Sequence, residues 1–444
     1  MDLLPKKCYN IIDQKITKEG NKSMKIIPQI TVFDYSEIEI LGDLERCKLL
    51  IDNVDDKEIV DKLIKIRGKG RNDYPIVPVW NSLLIMPVIE CSTIEQLRRE
   101  LSRNRDLRKL CGFNDYDYYF GKNKLVPPPK AYSNMIRNLK NIELLLKESF
   151  YKLRDFMYDN LKEFGKDTGV DGKIFLSKAT KKDERVEEKD NRSELDADYT
   201  IKENYYKDPK TGETKVKKKT YFGFRYHLLA DVNYELPIDY NVTVASKGER
   251  EQLLKILSKL PDRIVQIIDT MSADKGYDDI KIINKLKEYE IKPIVDIQNH
   301  WRNGEKTLQY KNTNIVYTYK GEVSYVDEDG EIIPMKYLGY DKVKNTLRYQ
   351  YKKNVYSIDI SYDERVFTPI ARDSKKWKRI YNKRTALERI NGRLDRDFNL
   401  ENNKVRGLKK ATVMVDIMMI GMMAMAKGHI INNHPEKIRK LKKL

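Results

Sequence analysis

Cysteine is scarce in this sequence. The four residues, at positions 8, 47, 91 and 111, form no Cys-x-x-Cys pair, which argues against a zinc ribbon or a disulfide framework and fits a reducing cytosol. The start, Met1-Asp-Leu-Leu-Pro-Lys-Lys, lacks the apolar segment of an export signal, so no leader is expected. Long apolar runs are missing too. The longest, 412–426, has 15 residues and is interrupted by Asp416, whereas a bilayer span needs about 20 apolar residues. It is expected to be a buried, Met-rich helix, and no membrane partner is expected. Acidic charge is in short supply: Asp plus Glu number 68 against 86 Lys plus Arg, a net charge of +18. With 29 Tyr, 11 Phe and regular apolar patterning, the chain does not read as disordered throughout. Excess positive charge points first to a polyanion, most often nucleic acid, although a lysine-rich composition alone gives the same balance. The 444 residues suffice for two or three domains.

Residues 1–160 read as mostly helical. Ile59, Val60, Leu63 and Ile64 recur at helical spacing, and 68–75 is a turn rich in helix breakers. Ser92 and Glu95 read as a capping box opening a helix with Ile94, Leu97 and Leu101 inward. Arg98 and Arg99 ride that helix, and Arg103, Arg105, Arg108 and Lys109 follow. This cluster suits either a helix-turn-helix-like DNA contact or a solvated basic face. A long amphipathic helix is expected from Ser133 to about Asn160. From 165 the pattern alternates. Strands are expected at 169–177, 221–230, 236–245, 263–269 and 291–297, and helices at 249–260 and 278–289. Three strands followed by helix, strand, helix and strand indicate a mixed α/β sheet. Residues 178–220, highly charged, are expected to be an exposed excursion. Short Tyr/Val/Ile-rich strands and a hairpin-type Asp327-Glu-Asp-Gly330 turn make 299–378 a β-rich insertion. Helix returns at 374–398, and 429–444 is a basic tail.

Three acids stand out by placement: Asp171 within the first expected strand, Asp274 in the glycine turn Ala273-Asp-Lys-Gly-Tyr277, and Glu388 on the late helix. In an α/β sheet functional groups gather at strand ends, so the first two can face one crevice. If 374–398 is one continuous helix, Tyr381, Arg384 and Glu388 fall on a single narrow face, with Ile380, Leu387 and Leu394 as the neighbouring apolar stripe. Carboxylates converging in a cleft repel one another unless cations neutralise them, and hard oxygen ligands suit Mg²⁺ or Mn²⁺. Two such ions about 4 Å apart would clamp an in-line phosphoryl displacement. Each acid alone is more often a cap or an ion-pair partner, and Asp167, Asp198, Asp231 and Asp269 compete for the role.

Taken in order, these pieces resemble the insertion-sequence transposases of the DDE superfamily, in the branch with a Tyr-(2)-Arg-(3)-Glu-(6)-Lys signature. Tyr381-Asn-Lys-Arg384-Thr-Ala-Leu-Glu388 matches the first three positions. Ala273-Asp-Lys-Gly-Tyr277 and Val170-Asp-Gly-Lys173 resemble the blocks around the two aspartates. The stretches 222–227, 236–237 and 244–246 resemble the second and third strands; Gly68-Lys-Gly-Arg71 with Tyr74-Pro75, and 104–113, extend the likeness into the N-terminal half. The resemblance spans about residues 55–428.

It implies a ribonuclease-H-like mixed sheet at 165–298 plus 379–428, interrupted by the β-rich insertion 299–378 and preceded by a helical DNA-binding region, 1–160. It implies Asp171, Asp274 and Glu388 as catalytic groups and ligands of Mg²⁺ (or Mn²⁺), two ions in all. Tyr381 and Arg384 would contact transposon-end DNA, with Arg98, Arg99 and Arg103 as further DNA contacts. The partners implied are double-stranded DNA, both terminal inverted repeats and target, and further copies of the chain in a dimer or larger assembly. The setting would be a bacterial-type cytoplasm, on the nucleoid. The activity implied is cutting transposon ends and joining them to target DNA. The rivals are a catalytically degenerate DNA-binding protein and a nuclease that cuts without joining. One departure is plain: Asp395 stands at the signature's final lysine, with Arg393 and Arg396 as candidates to compensate. The insertion has no cysteine, so zinc is not expected there.

Overall fold

The structure, a computed structural model, describes residues 44–68, 75–113, 126–180, 193–207, 212–301, 304–402 and 404–439. Residues 69–74 of the turn that carries part of the resemblance, and 440–444 of the basic tail, lie outside these.

The N-terminal region is helical: α1 Leu44–Asn53, α2 Lys57–Arg67, α3 Ile76–Ile85, α4 Ile94–Arg103, α5 Arg105–Cys111, α6 Pro129–Leu139 and α7 Glu143–Asn160. The long helix expected from Ser133 is therefore two, parted at 140–142, where backbone bonds tighten to Asn141 N–H onto Asn138 O and Ile142 N–H onto Leu139 O. The capping box sits one residue later than expected. Thr93 is the N-cap, its hydroxyl accepting from Gln96 N–H, and the Gln96 amide oxygen reaches back to Thr93 N–H. Ser92 N–H also bonds that oxygen, so two adjacent hydroxyl residues competed for one cap. Gly112, at φ 93°, ends α5 in the left-handed conformation a glycine adopts without strain.

The central sheet has strands β1 Asp167–Leu176, β2 Asp198–Lys207, β3 Thr214–Asp231, β4 Leu236–Val244, β5 Thr270–Ala273 and β6 Lys292–Val295. β4, β3 and β1 are antiparallel neighbours, and β1, β5 and β6 run parallel. This mixed order, an antiparallel meander extended by two parallel strands with helices α8 Glu249–Leu257 and α9 Ile280–Glu288 between them, is the ribonuclease-H-like arrangement. The strand expected at 263–269 is not one. Its first residues form the helical turn Asp262–Val265, entered through Pro261, and the strand begins only at Thr270. Four aliphatic residues at 264, 265, 267 and 268 suit a buried helical turn as well as a strand. β2 and the first seven residues of β3, 214–220, lie within the stretch expected as an exposed excursion and are strand instead.

After β6 the chain makes the β-rich insertion. A four-stranded sheet (Leu308–Gln309, Ile315–Tyr317, Val323–Val326, Ile332–Pro334) is followed by a three-stranded one (Lys336–Asp341, Thr346–Tyr351, Asn354–Asp359). Its core, with Tyr310, Tyr317, Tyr349, Ile358 and Phe367, is separate from the main one. Trp301 packs edge-on against Tyr317 and Tyr319 there.

The chain returns through α10 Lys375–Asn382 and α11 Thr385–Arg396, then α12 Leu408–Ile431. The helix expected as continuous over 374–398 is thus broken at Lys383–Arg384. Arg384 N–H bonds Tyr381 O and Leu387 N–H bonds Arg384 O, a tighter spacing than an α-helix makes. A tertiary contact holds the break: Lys383 Nζ donates to Asp167 Oδ2 (2.7 Å) and Asn233 Oδ1 (3.0 Å). α12 is the Met-rich helix, buried along both sides among α1, α7 and the sheet. Its one acid, Asp416, accepts from the Tyr240 hydroxyl at 2.7 Å, and burial pushes its carboxyl up to about 7. N-terminal helices, sheet and α12 share one continuous hydrophobic core.

Candidate active site

The site is built where α11 lies along β1. Gly169 permits the approach: a side chain there would meet Leu387 Cδ1 at 3.0 Å and Ser272 Oγ at 3.1 Å. From this crossing the two elements run in step. Asn391 Nδ2 donates to Asp171 Oδ2 at 2.8 Å, and Asp395 pairs with Lys173 one helical turn later. Glu388, Asn391 and Asp395 stand at positions i, i+3 and i+7 of α11, so they share one stripe of the helix.

Asp274 reaches the same point through the parallel pairing. β1 and β5 pair in parallel up to Gly169 with Ser272, and Asp274 follows the end of β5 by one residue, near enough for its charge to act on Asp171, two residues further along β1. Asp274 caps the following turn, its Oδ1 accepting from Gly276 N–H at 2.8 Å. The electrostatics agree. Burial raises the Asp171 carboxyl above its ordinary range, Asp274's charge raises it further, and the Gly172 amide, Arg384 and Asn391 work the other way. Sequence reasoning missed a third acid close by. Glu249, at the start of α8, pairs with Arg225 at 2.8 Å, and its carboxyl is also raised, by burial and by Asp274 and Asp171.

Glu388 is in the first turn of α11, one turn before Asn391, but its side chain points outward. It is 65% exposed, and Arg384 Nη2 lies 3.9 Å away. Among the described residues no group of three or more His, Cys, Asp or Glu side chains is gathered closely enough to hold a metal ion. Asp171 and Asp274 therefore come together, and Glu388 stands off by about a turn with an arginine beside it. In donor chemistry the pair fits a hard divalent cation: two carboxylates, mutually repelling, with oxygen donors only.

The helix break changes the geometry of the signature. Tyr381 belongs to α10 and Arg384 precedes α11, so the single-face arithmetic does not carry across them. Tyr381 still meets Arg384. It stacks on the Trp377 ring (centroids 4.8 Å apart, planes at 11°) and has the Arg384 guanidinium 5.7 Å from its own centroid. Trp377 is buried and backs Tyr381.

The two arginines named as compensating for Asp395 differ in placement. Arg393 is buried against Glu235, and Arg396 bonds back to Gly392 O. Lys173 is the cation paired with Asp395. The competing acids are otherwise engaged. Asp167 holds Lys383, Asp231 accepts from the Gly165 and Asn233 amides (2.9 and 2.8 Å), Asp269 pairs with Lys292 at 2.5 Å, and Asp198 accepts from Tyr199 N–H at 2.7 Å. His227 is buried against Thr243 Oγ1 at 2.9 Å, away from the acids' face of β1, and burial pushes its pKa down to about 3.

In the N-terminal cluster, Arg98 is tied to Pro127 O (2.8 Å) and Glu95 (2.7 Å), and Arg103 lies 3.6 Å from Glu100. Arg99 is exposed. Arg108 is buried, clamping the Leu101 and Ser102 carbonyls at 2.7 and 3.0 Å, a structural role in the α4–α5 corner.

Compared with known proteins, residues 191–424, more than half of the chain, match a family model described as a transposase DDE domain. Asp274, Tyr381, Arg384 and Glu388 fall inside that stretch and Asp171 ahead of it. Among solved structures the chain is similar to piggyBac transposase in a cryo-EM synaptic complex with hairpin DNA. The identity is 11%, covering 92% of this chain and 80% of that one, with a TM-score of 0.36. No curated protein sequence matches.

Proposed function

The chain belongs to the family of transposases with a DDE domain, and from that premise we propose that it cuts DNA at the ends of a mobile element and joins the freed 3′ ends to target DNA. The observation that carries the reading is Asp274, one residue past the end of β5, acting by its charge on Asp171 of the neighbouring parallel strand, with α11 bonded to Asp171 through Asn391. These two would hold divalent ions, with Glu388 as third ligand. Mg²⁺ or Mn²⁺, two ions in our reading, supplies Lewis-acid activation of water and phosphate when bound. Asn391 orients Asp171 from the helix, itself fixed by the Tyr226 hydroxyl donating to Asn391 Oδ1 at 2.6 Å. Tyr381 and Arg384, mounted on Trp377, present a hydroxyl and a guanidinium to the phosphates of end DNA. A 3′-hydroxyl freed by the first cut then attacks a target phosphodiester, and no covalent protein–DNA bond is required. Holding two ends together calls for a dimer or larger assembly.

The test is purified protein with labelled end DNA and Mg²⁺ or Mn²⁺. End-specific nicking and strand transfer are expected; DNA binding with no nicking under either metal would reject the reading. One observation favours a rival. With Glu388 beside Arg384, the chain also suits a copy that binds ends without cutting. A precleaved 3′ end offered to the protein separates transposase from a nuclease that cannot join.

A further inference from the structure

The residues expected as a featureless excursion contain a two-stranded ribbon. β2 pairs with the first half of β3 from Asp198 opposite Gly223 to Lys207 opposite Thr214. β1 ends opposite Gly223 and β4 opposite Phe224, so beyond that point the ribbon has no flanking strand from either. Its ten residue pairs reach about 30 Å. A two-stranded ribbon exposed on both faces is marginal in water without a partner.

Its faces differ. Because side chains alternate, Arg225, Tyr221, Lys219, Lys217 and Lys215 share one face of β3, and Thr200, Lys202 and Tyr206 of β2 stand on the same face. Among the paired residues the acid on this face is Asp198, at the ribbon's root opposite Gly223. Thr200 Oγ1 accepts from Arg225 Nη2 at 3.4 Å, which ties the face at its root to Arg225 and its partner Glu249, whose carboxyl feels the charges of Asp274 and Asp171. Lys202 also acts electrostatically on Glu249. The other face carries exposed Tyr199, Ile201 and Val216, and its Lys218 is neutralised by Glu203 at 2.8 Å. On the basic face, Lys202 stands directly across from Lys219. Like charges in that position destabilise an isolated ribbon, and a polyanion laid along the face offsets the cost.

We propose that the basic face of this ribbon is a DNA-binding arm, leading the duplex away from the acidic site through contacts of Lys202, Lys217 and Lys219 with the phosphate backbone. The proposal rests on the transposase reading. A two-stranded ribbon is one of the few elements the major groove admits, and phosphates are the matching charge.

The test is fluorescence anisotropy of a labelled 30-base-pair duplex against full-length wild type and the Lys202→Glu/Lys217→Glu/Lys219→Glu variant, over a salt series. All three lysines are solvent-exposed, so folding should survive, and a thermal melt checks it. Each lost phosphate contact lowers the slope of log affinity against log salt by about 0.9, so a drop of about 2.7 is expected, with at least tenfold weaker binding near 0.1 M salt. Unchanged slope and affinity in the variant, beside a wild type that binds and nicks DNA, overturns the arm and leaves the transposase reading standing. A wild type that binds no DNA overturns both. A changed sedimentation coefficient without DNA, with DNA affinity intact, also overturns the arm and assigns the ribbon to self-association.

Discussion

The two ends of α11 are prepared differently. At its C-terminal end, Asn391 is buried and bonded to Asp171, and Asp395 is locked to Lys173. At its N-terminal end Glu388 is exposed, Arg384 spans the gap beside it, and the helix has just been broken from α10. The difference teaches where this fold spends its rigidity. The half of the stripe that fixes β1 against the helix is set before any substrate arrives. The half assigned to metal and DNA is left solvated, with a cation in the place an incoming ion would compete for.

That contrast can be broken by mutation. Asp171→Ala removes the acid both halves converge on. End nicking is expected to fall roughly a thousandfold, the several kcal/mol a metal-centred site supplies, with duplex binding by anisotropy unchanged. A retained rate would place the chemistry elsewhere. Asn391→Ala strips the rigid half's grip on Asp171 alone. Second-shell partners of this kind are worth about 10–100-fold, so nicking should fall by that factor with an unchanged melting temperature. Equal activity would make Asn391 packing only.

Asp395→Lys sharpens the comparison through stability. It sets two cations together in a half-buried spot and should cost about 1–3 kcal/mol in urea unfolding; adding Lys173→Asp should recover most of it. Recovery of stability without recovery of nicking would show that Lys173 itself touches DNA.

The last effect is a pH dependence away from both halves. His227 titrates near 3 when folded and near 6.5 when unfolded. The unfolded chain therefore takes up the extra proton first. The neutral ring's contribution is whole above pH 6.5 and is lost as pH falls from there toward 3. The stability margin of wild type over His227→Gln should shrink by about 1.4 kcal/mol per pH unit below 6.5. A margin flat with pH would mean the ring is solvated.

Much of this was legible in the sequence, and the failures have physical causes. β1, β4 and the body of β3 alternate cleanly, and α12 is apolar on every side, so period and length sufficed. The α10–α11 break has no proline or glycine to announce it; it depends on Lys383 finding Asp167 and Asn233, more than a hundred residues away in sequence. β2 did carry a period-two signal, with Tyr199 and Ile201 on one face, but its lysines masked it as a solvated loop. Asp171 and Asp274 are named from the sequence because each sits in a motif. Asn391 and the pairing of Lys173 are not, although Asn391 lies one turn after Glu388 and Lys173 two residues after Asp171 on the same strand face. Their roles exist only as contacts between the two elements.

The most direct measurement is Mn²⁺ anomalous scattering from crystals of the full-length protein bound to end DNA. The account expects manganese held by Asp171 and Asp274, with Glu388 turned in from Arg384 to join them. Manganese absent from that spot, or Glu388 still paired with Arg384 while DNA is bound, would contradict it.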